Sequence, residues 1–225
     1  RAFPGIAVHT SGAGEVLAGV GTARSLVIAT PGAEPVATGG YAAALLLDAW
    51  ALLDRPTLDA GEEALRRWLA AAALVRSAPD GGRVVLVGAN AGPGQPPVEA
   101  LVTWRPGLFA ERELAERSAV GLPPGRVAVV VEGERGAVRA ALTEADLPAQ
   151  AQVLGPQSLA PQNLGRAEVP GGSGPALPTE RAVVLAPLAA RAELAEAWHT
   201  VRAVRSARKE PGRLTIRFDP AHLDV

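Results

Sequence analysis

The sequence predicts an α/β fold in two parts, a mostly parallel sheet with flanking helices and then a smaller α+β domain. Three observations carry the prediction. Short β-branched runs such as Ser25–Ala29 and Arg83–Val87 alternate with helical stretches over the first hundred residues. That alternation favours parallel strands with helices on the sheet faces. Arg105-Pro-Gly107 then breaks the chain, placing a boundary between residues 1–107 and 108–225. Beyond it, strand and helix patterns recur as β-α-β twice, ending in a run that alternates apolar and polar residues.

In order, Gly5–His9 is a strand candidate, and Ser11-Gly-Ala-Gly14 loosens the chain after it. Gly12 and Gly14 lack the third glycine and the downstream acid of a dinucleotide fingerprint, so the segment reads as a connection. Strands are expected at 26–30 and 43–48, with a loop over Val36–Gly40 between them and irregular chain over Leu52–Pro56. Asp48, at a strand end, is the one acid in a position suited to catalysis, and it has no visible partner. Thr57 or Asp59 can cap a helix running from about Ala60 to Val75, with Glu62 and Glu63 in its first turn and Leu65, Trp68 and Leu69 on its apolar face. A strand at 83–87, a Gly/Pro-rich loop over 88–97 and a short helix over 98–104 complete the first part.

In the second part, a helix over 108–120 places Leu108, Phe109 and Leu114 on one side and stops at Gly121-Leu-Pro-Pro-Gly125. The strand Arg126–Val131, a helix over 135–147 and the extended piece Val153–Pro156 follow. Gln157–Pro178 is rich in Pro, Gly, Ser and Gln and is expected to carry little order of its own. A strand over 181–186, a helix over 188–204 and a final strand over 213–218 close the chain. In that last strand Leu214, Ile216 and Phe218 face one way and Arg213, Thr215 and Arg217 the other.

Composition narrows the chemistry. Hydrophobic residues make up 48% of the 225, and the net charge is −1, which suits a folded core. There is no cysteine, hence no disulfide or thiolate metal site within this sequence. His9, His199 and His222 show no metal-binding spacing, and no nucleophile elbow or kinase motif is present. No catalytic or metal-ligating residue is therefore assigned. No stretch approaches the ~20 apolar residues of a membrane span. A cytoplasmic location without a membrane partner is the expectation. With no methionine and an opening Arg1-Ala-Phe-Pro-Gly5, the chain is expected to be a piece of something longer.

One region departs from neutrality. Between Arg181 and Arg217 there are eight basic side chains against three acidic ones. Arg202, Arg205, Arg208 and Lys209 gather at a helix end and the loop after it, and Arg217 points out from the last strand. Such a cluster suits phosphate neutralisation. It equally suits a solvated helix C-terminus, where basic residues complement the dipole.

Motifs in the second part add a resemblance. Ala115-Glu-Arg-Ser-Ala-Val-Gly-Leu-Pro-Pro124, Val153-Leu-Gly-Pro156 and Arg213-Leu-Thr-Ile-Arg-Phe-Asp-Pro220 resemble, in order, the segments that open, turn and close the C-terminal domain of the PriA family of bacterial replication restart proteins. Arg1–Gly5 is similar to the piece that follows that family's cysteine-rich zinc module. The resemblance implies a RecA-like helicase lobe 2 over 1–107 and a C-terminal DNA-binding domain over 108–225. It implies forked or single-stranded DNA as partner, together with other primosome proteins and single-stranded DNA-binding protein, and zinc only upstream of this chain.

Two departures stand out against that family. Ala29-Thr30-Pro31 replaces its Gly-Thr-Gln, with no lysine in the loop after it. Leu74–Pro79 retains only Arg76 of its arginine-rich motif. Thr30 and Arg76 are thus degenerate nucleotide-site positions. The function expected is fork binding and helicase reloading without a helicase motor, and without ATP as a cofactor of this chain. The alternative is an active ATP-dependent DNA helicase.

Overall fold

A computed structural model describes residues 4–89, 94–159 and 178–223. Residues 1–3 of the opening segment, 90–93 of the Gly/Pro-rich loop and 160–177 of the Gln157–Pro178 stretch lie outside the described residues. The chain divides into two compact units, residues 1–111 with 222–225, and residues 112–221.

Among the described residues of the first unit every strand pairing is parallel. Strands β1 (Ala7–Ser11) and β3 (Ser25–Ala29) pair in register, as do β2 (Gly19–Val20) with β4 (Val36–Ala37) and β5 (Ala43–Leu46) with β6 (Arg83–Leu86). The single mostly parallel sheet expected from the sequence is not what forms among the described residues. The strands make three separate two-stranded ladders, with a lone parallel bridge between Tyr41 and Val75. Each strand runs only two to five residues, and a Gly or Pro follows within two residues of every one but β5, which gives way to a helix through Asp48.

Three helices pack together on this unit: α1 (Ala49–Leu53), α2 (Ala60–Ala72) and α3 (Pro96–Thr103). Their core is Ala49, Leu52, Ala64, Leu65, Trp68, Ala100 and Leu101, joined by Phe109. Helix α1 was not expected from the sequence and runs into the first two residues of the stretch Leu52–Pro56 expected to be irregular; Asp48 enters it in a left-handed conformation (φ 52°). Asp59 occupies the cap position of α2 but makes no capping bond, because its carboxylate takes the His222 ring instead. That contact, with the desolvated carboxylate's other hydrogen bonds, holds Asp59 below the usual carboxylate range. The Leu58 N–H donates to the Leu223 carbonyl beside it at 3.1 Å. In α2, Arg66 and then Arg67 bring the Glu63 carboxyl down to about 2.

Helix α4 (Pro106–Ala119) contains the division between units. Of its expected apolar side only Phe109 is buried, while Leu108 and Leu114 are exposed. It ends at Gly121, whose positive φ of 70° lets the Leu122 N–H fold back onto the Arg117 carbonyl.

Among the described residues the second unit holds one four-stranded antiparallel sheet and, besides the end of α4, two helices. Strand β7 (Arg126–Glu134), helix α5 (Arg135–Glu144) and strand β8 (Gln152–Ser158) form one β-α-β. Strand β9 (Thr179–Pro187), helix α6 (Arg191–Arg208) and strand β10 (Leu214–Phe218) form the other. The spatial order is β10-β7-β9-β8, the interleaved arrangement of a split β-α-β pair. The valine run of β7 suits a central strand buried on both faces. Val127, Val129, Val131, Val184 and Ala186 meet Val138 and Ala141 of α5 and Leu194, Trp198 and Val201 of α6 in the core. In β7, Gly133 is required by close approach, since a Cβ there would collide with the Arg213 carbonyl at the start of β10.

Candidate nucleic-acid interface

Helix α6 spaces Leu194, Ala197, Trp198 and Val201 along one face, and their burial fixes which side of the helix meets solvent. Trp198, the one aromatic near the basic cluster, is fully buried and so is no stacking platform. Arg205 continues the buried stripe. It donates to Glu210 Oε2 at 2.8 Å, to the Pro211 carbonyl at 3.2 Å and to the Gly212 carbonyl at 3.5 Å. Its guanidinium therefore holds the 209–212 loop against the helix and is spent on the fold.

Arg202, Arg208 and Lys209 remain on the exposed side. Among the described residues Arg208 makes only long contacts, 3.6 Å to Glu210 and 3.8 Å to Glu144. Arg202 and Lys209 make no ion pair among the described residues. Lys209 adopts the left-handed conformation (φ 50°) that ends α6, with the Glu210 N–H returning to the Arg205 carbonyl at 3.1 Å. Glycine is the usual residue there, so a lysine carries backbone strain.

Between the helix end and the last strand lies a cavity of about 520 Å³. Arg202, Arg205, Ser206 and Lys209 line it with Glu210, Gly212, Leu214, Thr215 and Ile216, the one acid, Glu210, being held by Arg205. Ser206 and Thr215 were not singled out from the sequence, although Ser206 stands within the basic run and Thr215 within the closing motif, because a lone hydroxyl residue carries no spacing signal that marks it.

Arg217 does not join the cluster. The pairing of β10 with β7 sets its side chain beside Glu132, 3.3 Å away, and Glu132 also meets Arg181 of β9 at 3.1 Å. The strand's alternation sends Arg217 to the face opposite Leu214 and Ile216. Of the five basic residues expected to act together, the structure gathers Arg202, Arg205 and Lys209 at one cavity, with Arg208 beside them on α6, and separates Arg217.

A second basic group escaped sequence reading. Arg139 and Arg135 of α5 both pair with the Glu180 carboxylate at 2.9 Å, and Glu180 is 1% exposed. Arg139 above all, then Arg135, holds the Glu180 carboxyl below its ordinary value. This trio ties α5 to the start of β9.

In the first unit Thr30 follows β3, where its N–H donates to the Ser11 carbonyl at 3.0 Å. The Arg76 guanidinium donates from Nε to the Gly39 and Gly40 carbonyls at 3.0 and 3.2 Å. Arg76 thus braces a glycine turn. The loop after Thr30 holds Glu34, whose carboxylate accepts the Gly32 N–H. Among the described residues no three of His, Asp and Glu come together as a metal site, and no helix is long and apolar enough to cross a membrane.

Comparison with known proteins adds to this geometry. Residues 118–221 match the family model described as the primosomal protein N C-terminal domain. Over 99% of its length the chain is similar to a probable replication restart protein PriA of Mycobacterium leprae, at 46% identity. It is 41% identical, again over 99% of its length, to the probable replication restart protein PriA of Mycobacterium tuberculosis strain CDC 1551 / Oshkosh. The chain spans about a third of these relatives, 33% and 34% of their lengths.

Proposed function

Because this chain belongs to the PriA family and spans about a third of its relatives' length, we propose that it serves replication restart as the fork-binding part of a helicase-like protein without a motor. The observation that carries the reading is the cation cluster at the end of α6. Arg202 and Lys209 face solvent at one cavity with Arg208 exposed beside them on α6, while Arg205 fixes the loop beneath. Three cations on a rigid helix end neutralise phosphates without reading bases, which suits recognition of a DNA structure whatever its sequence.

In this reading the first unit is lobe 2 of a RecA-like pair, supported by its parallel strand pairings. Its motor function is lost because Arg76 is committed to the Gly39–Gly40 turn and no lysine stands near Thr30. An arginine on the terminal phosphate is worth on the order of 10³–10⁵ in related phosphoryl transfers, so its diversion removes most of the catalysis. The longer protein would work in the cytoplasm with single-stranded DNA-binding protein and other primosome proteins to reload the replicative helicase.

Fork binding measured against salt tests the proposal. The chain should bind forked DNA with a log–log salt slope of roughly −2 to −3, and Arg202→Glu with Lys209→Glu should flatten that slope by about 2. No binding at low salt, or binding unchanged in the double variant, overturns it. On a PriA-length protein, DNA-stimulated ATP hydrolysis abolished by Arg76→Ala overturns the motor-less half of the reading.

A further inference from the structure

The sheet of the second unit has two edges, β8 and β10, and they are built differently. Strand β8 carries Gly155-Pro156 in its interior, and its register on β9 shifts between Leu154 and Gln157. A proline removes a backbone donor and an irregular strand cannot template a neighbour, which is how sheet edges are defended. Strand β10 has neither feature. Its five residues contain no proline and keep an unbroken register on β7.

The ladder also shows which backbone groups are spent. The Arg213 carbonyl accepts from the Glu134 N–H at 2.9 Å, and the Asp219 N–H donates to the Ala128 carbonyl at 2.7 Å. Residues 213, 215, 217 and 219 therefore bond toward β7. The N–H and C=O groups of Leu214, Ile216 and Phe218 face away from the sheet, and no described residue bonds them. Beside that open edge lies the cavity bearing Arg202 and Lys209.

We propose that β10 accepts an extended peptide as a fifth strand, and that the peptide bears acidic side chains at alternate positions for Arg202 and Lys209 to hold. The backbone argues for polypeptide. Donors and acceptors alternate along the free edge, and only another strand meets both kinds, whereas a phosphodiester offers acceptors alone. Charge complementarity selects an acidic strand, since both flanking cations lack a partner among the described residues. The inference stands apart from fork binding but shares its cations, so strand and DNA compete for this end of α6.

The probe is a fluorescein-labelled peptide of alternating glutamate and valine, about ten residues long, titrated into the full chain. Saturation should slow amide exchange at Leu214, Ile216 and Phe218. Phe218→Pro removes one outward N–H and leaves every bond to β7 in place, so it should weaken the peptide by about tenfold while fork affinity stays within about twofold. Arg202→Glu with Lys209→Glu should weaken both ligands. The proposal is overturned by absence of peptide binding, by equal binding of a lysine–valine peptide, or by peptide binding that leaves those three amides exchanging at their free rate. The exchange measurement on the unmutated chain decides the matter even if Phe218→Pro fails to fold.

Discussion

In the 112–221 unit, β7 and β9 are buried along nearly their whole length, and Val127, Val129 and Val184 are wholly inaccessible to solvent. In the first unit the strands are just as apolar, yet Val8, Ile28, Leu45 and Val85 are each roughly half exposed or more. Composition does not separate the two regions. What differs is pairing. Four antiparallel strands with two helices close a core from their own residues. Two-stranded parallel ladders instead leave a face uncovered, although parallel sheets normally carry a layer on each side. The lesson is that a valine run reports a strand's capacity for burial, and the number of neighbours decides how much of it is realised.

The sharpest way to break this comparison is to cut into each region alike. Trp198→Ala, in the closed core, should cost about 3–5 kcal/mol by urea unfolding, the range for emptying a buried aromatic site. Leu45→Ser, on an open strand 63% exposed, should stay within about 0.5 kcal/mol. Equal losses would mean that the first unit's strands are covered in solution and the contrast is false.

A smaller effect separates stability from binding within the second unit. Lys209→Gly should relieve the left-handed strain and raise stability by about 1 kcal/mol. It should also weaken fork binding, because one of three solvent-facing cations is gone. A variant that gained stability and kept its salt slope would remove Lys209 from the interface.

The smallest signal is a pH dependence. Arg139 and Arg135 hold Glu180 below its ordinary 4.5, so its ionised form supports the fold above that pH. That support is lost as pH falls through the depressed value. The stability gap between the wild-type chain and Glu180→Gln should thus be widest near neutrality and narrow on acidification below about pH 4.5. Urea midpoints at neutral and strongly acidic pH measure it, and a gap of constant size would show that the ion trio adds nothing.

Some elements could be read from the chain because one local pattern sufficed. The β-branched runs at 126–131 and 181–186, the alternation at 213–218 and the stripe of Leu194, Trp198 and Val201 each specify an element whatever surrounds them. Other elements could not. Helix α1 is five residues long and persists through burial of Ala49 and Leu52, and β2 and β4 are two-residue strands that exist only as each other's partner. The closing Asp-Pro was visible as a motif, but its reason was not. The Asp219 carboxylate accepts the Ala128 N–H at 3.0 Å and pairs with Arg191 at 2.6 Å, fastening the end of β10.

By itself the sequence determined where this chain is apolar, where it turns and where its positive charge gathers, since these follow from side-chain chemistry and spacing along one dimension. It could not assign the fates of the arginines. Arg202 and Arg205 lie three residues apart in one helix, and the difference between a free cation and a buried brace was decided when the 209–212 loop folded back to offer Glu210 and two carbonyls. Arg217 was removed from the cluster by the pairing of β10 with β7. Charge is a property of the residue, but availability depends on which neighbours the fold brings within hydrogen-bonding distance.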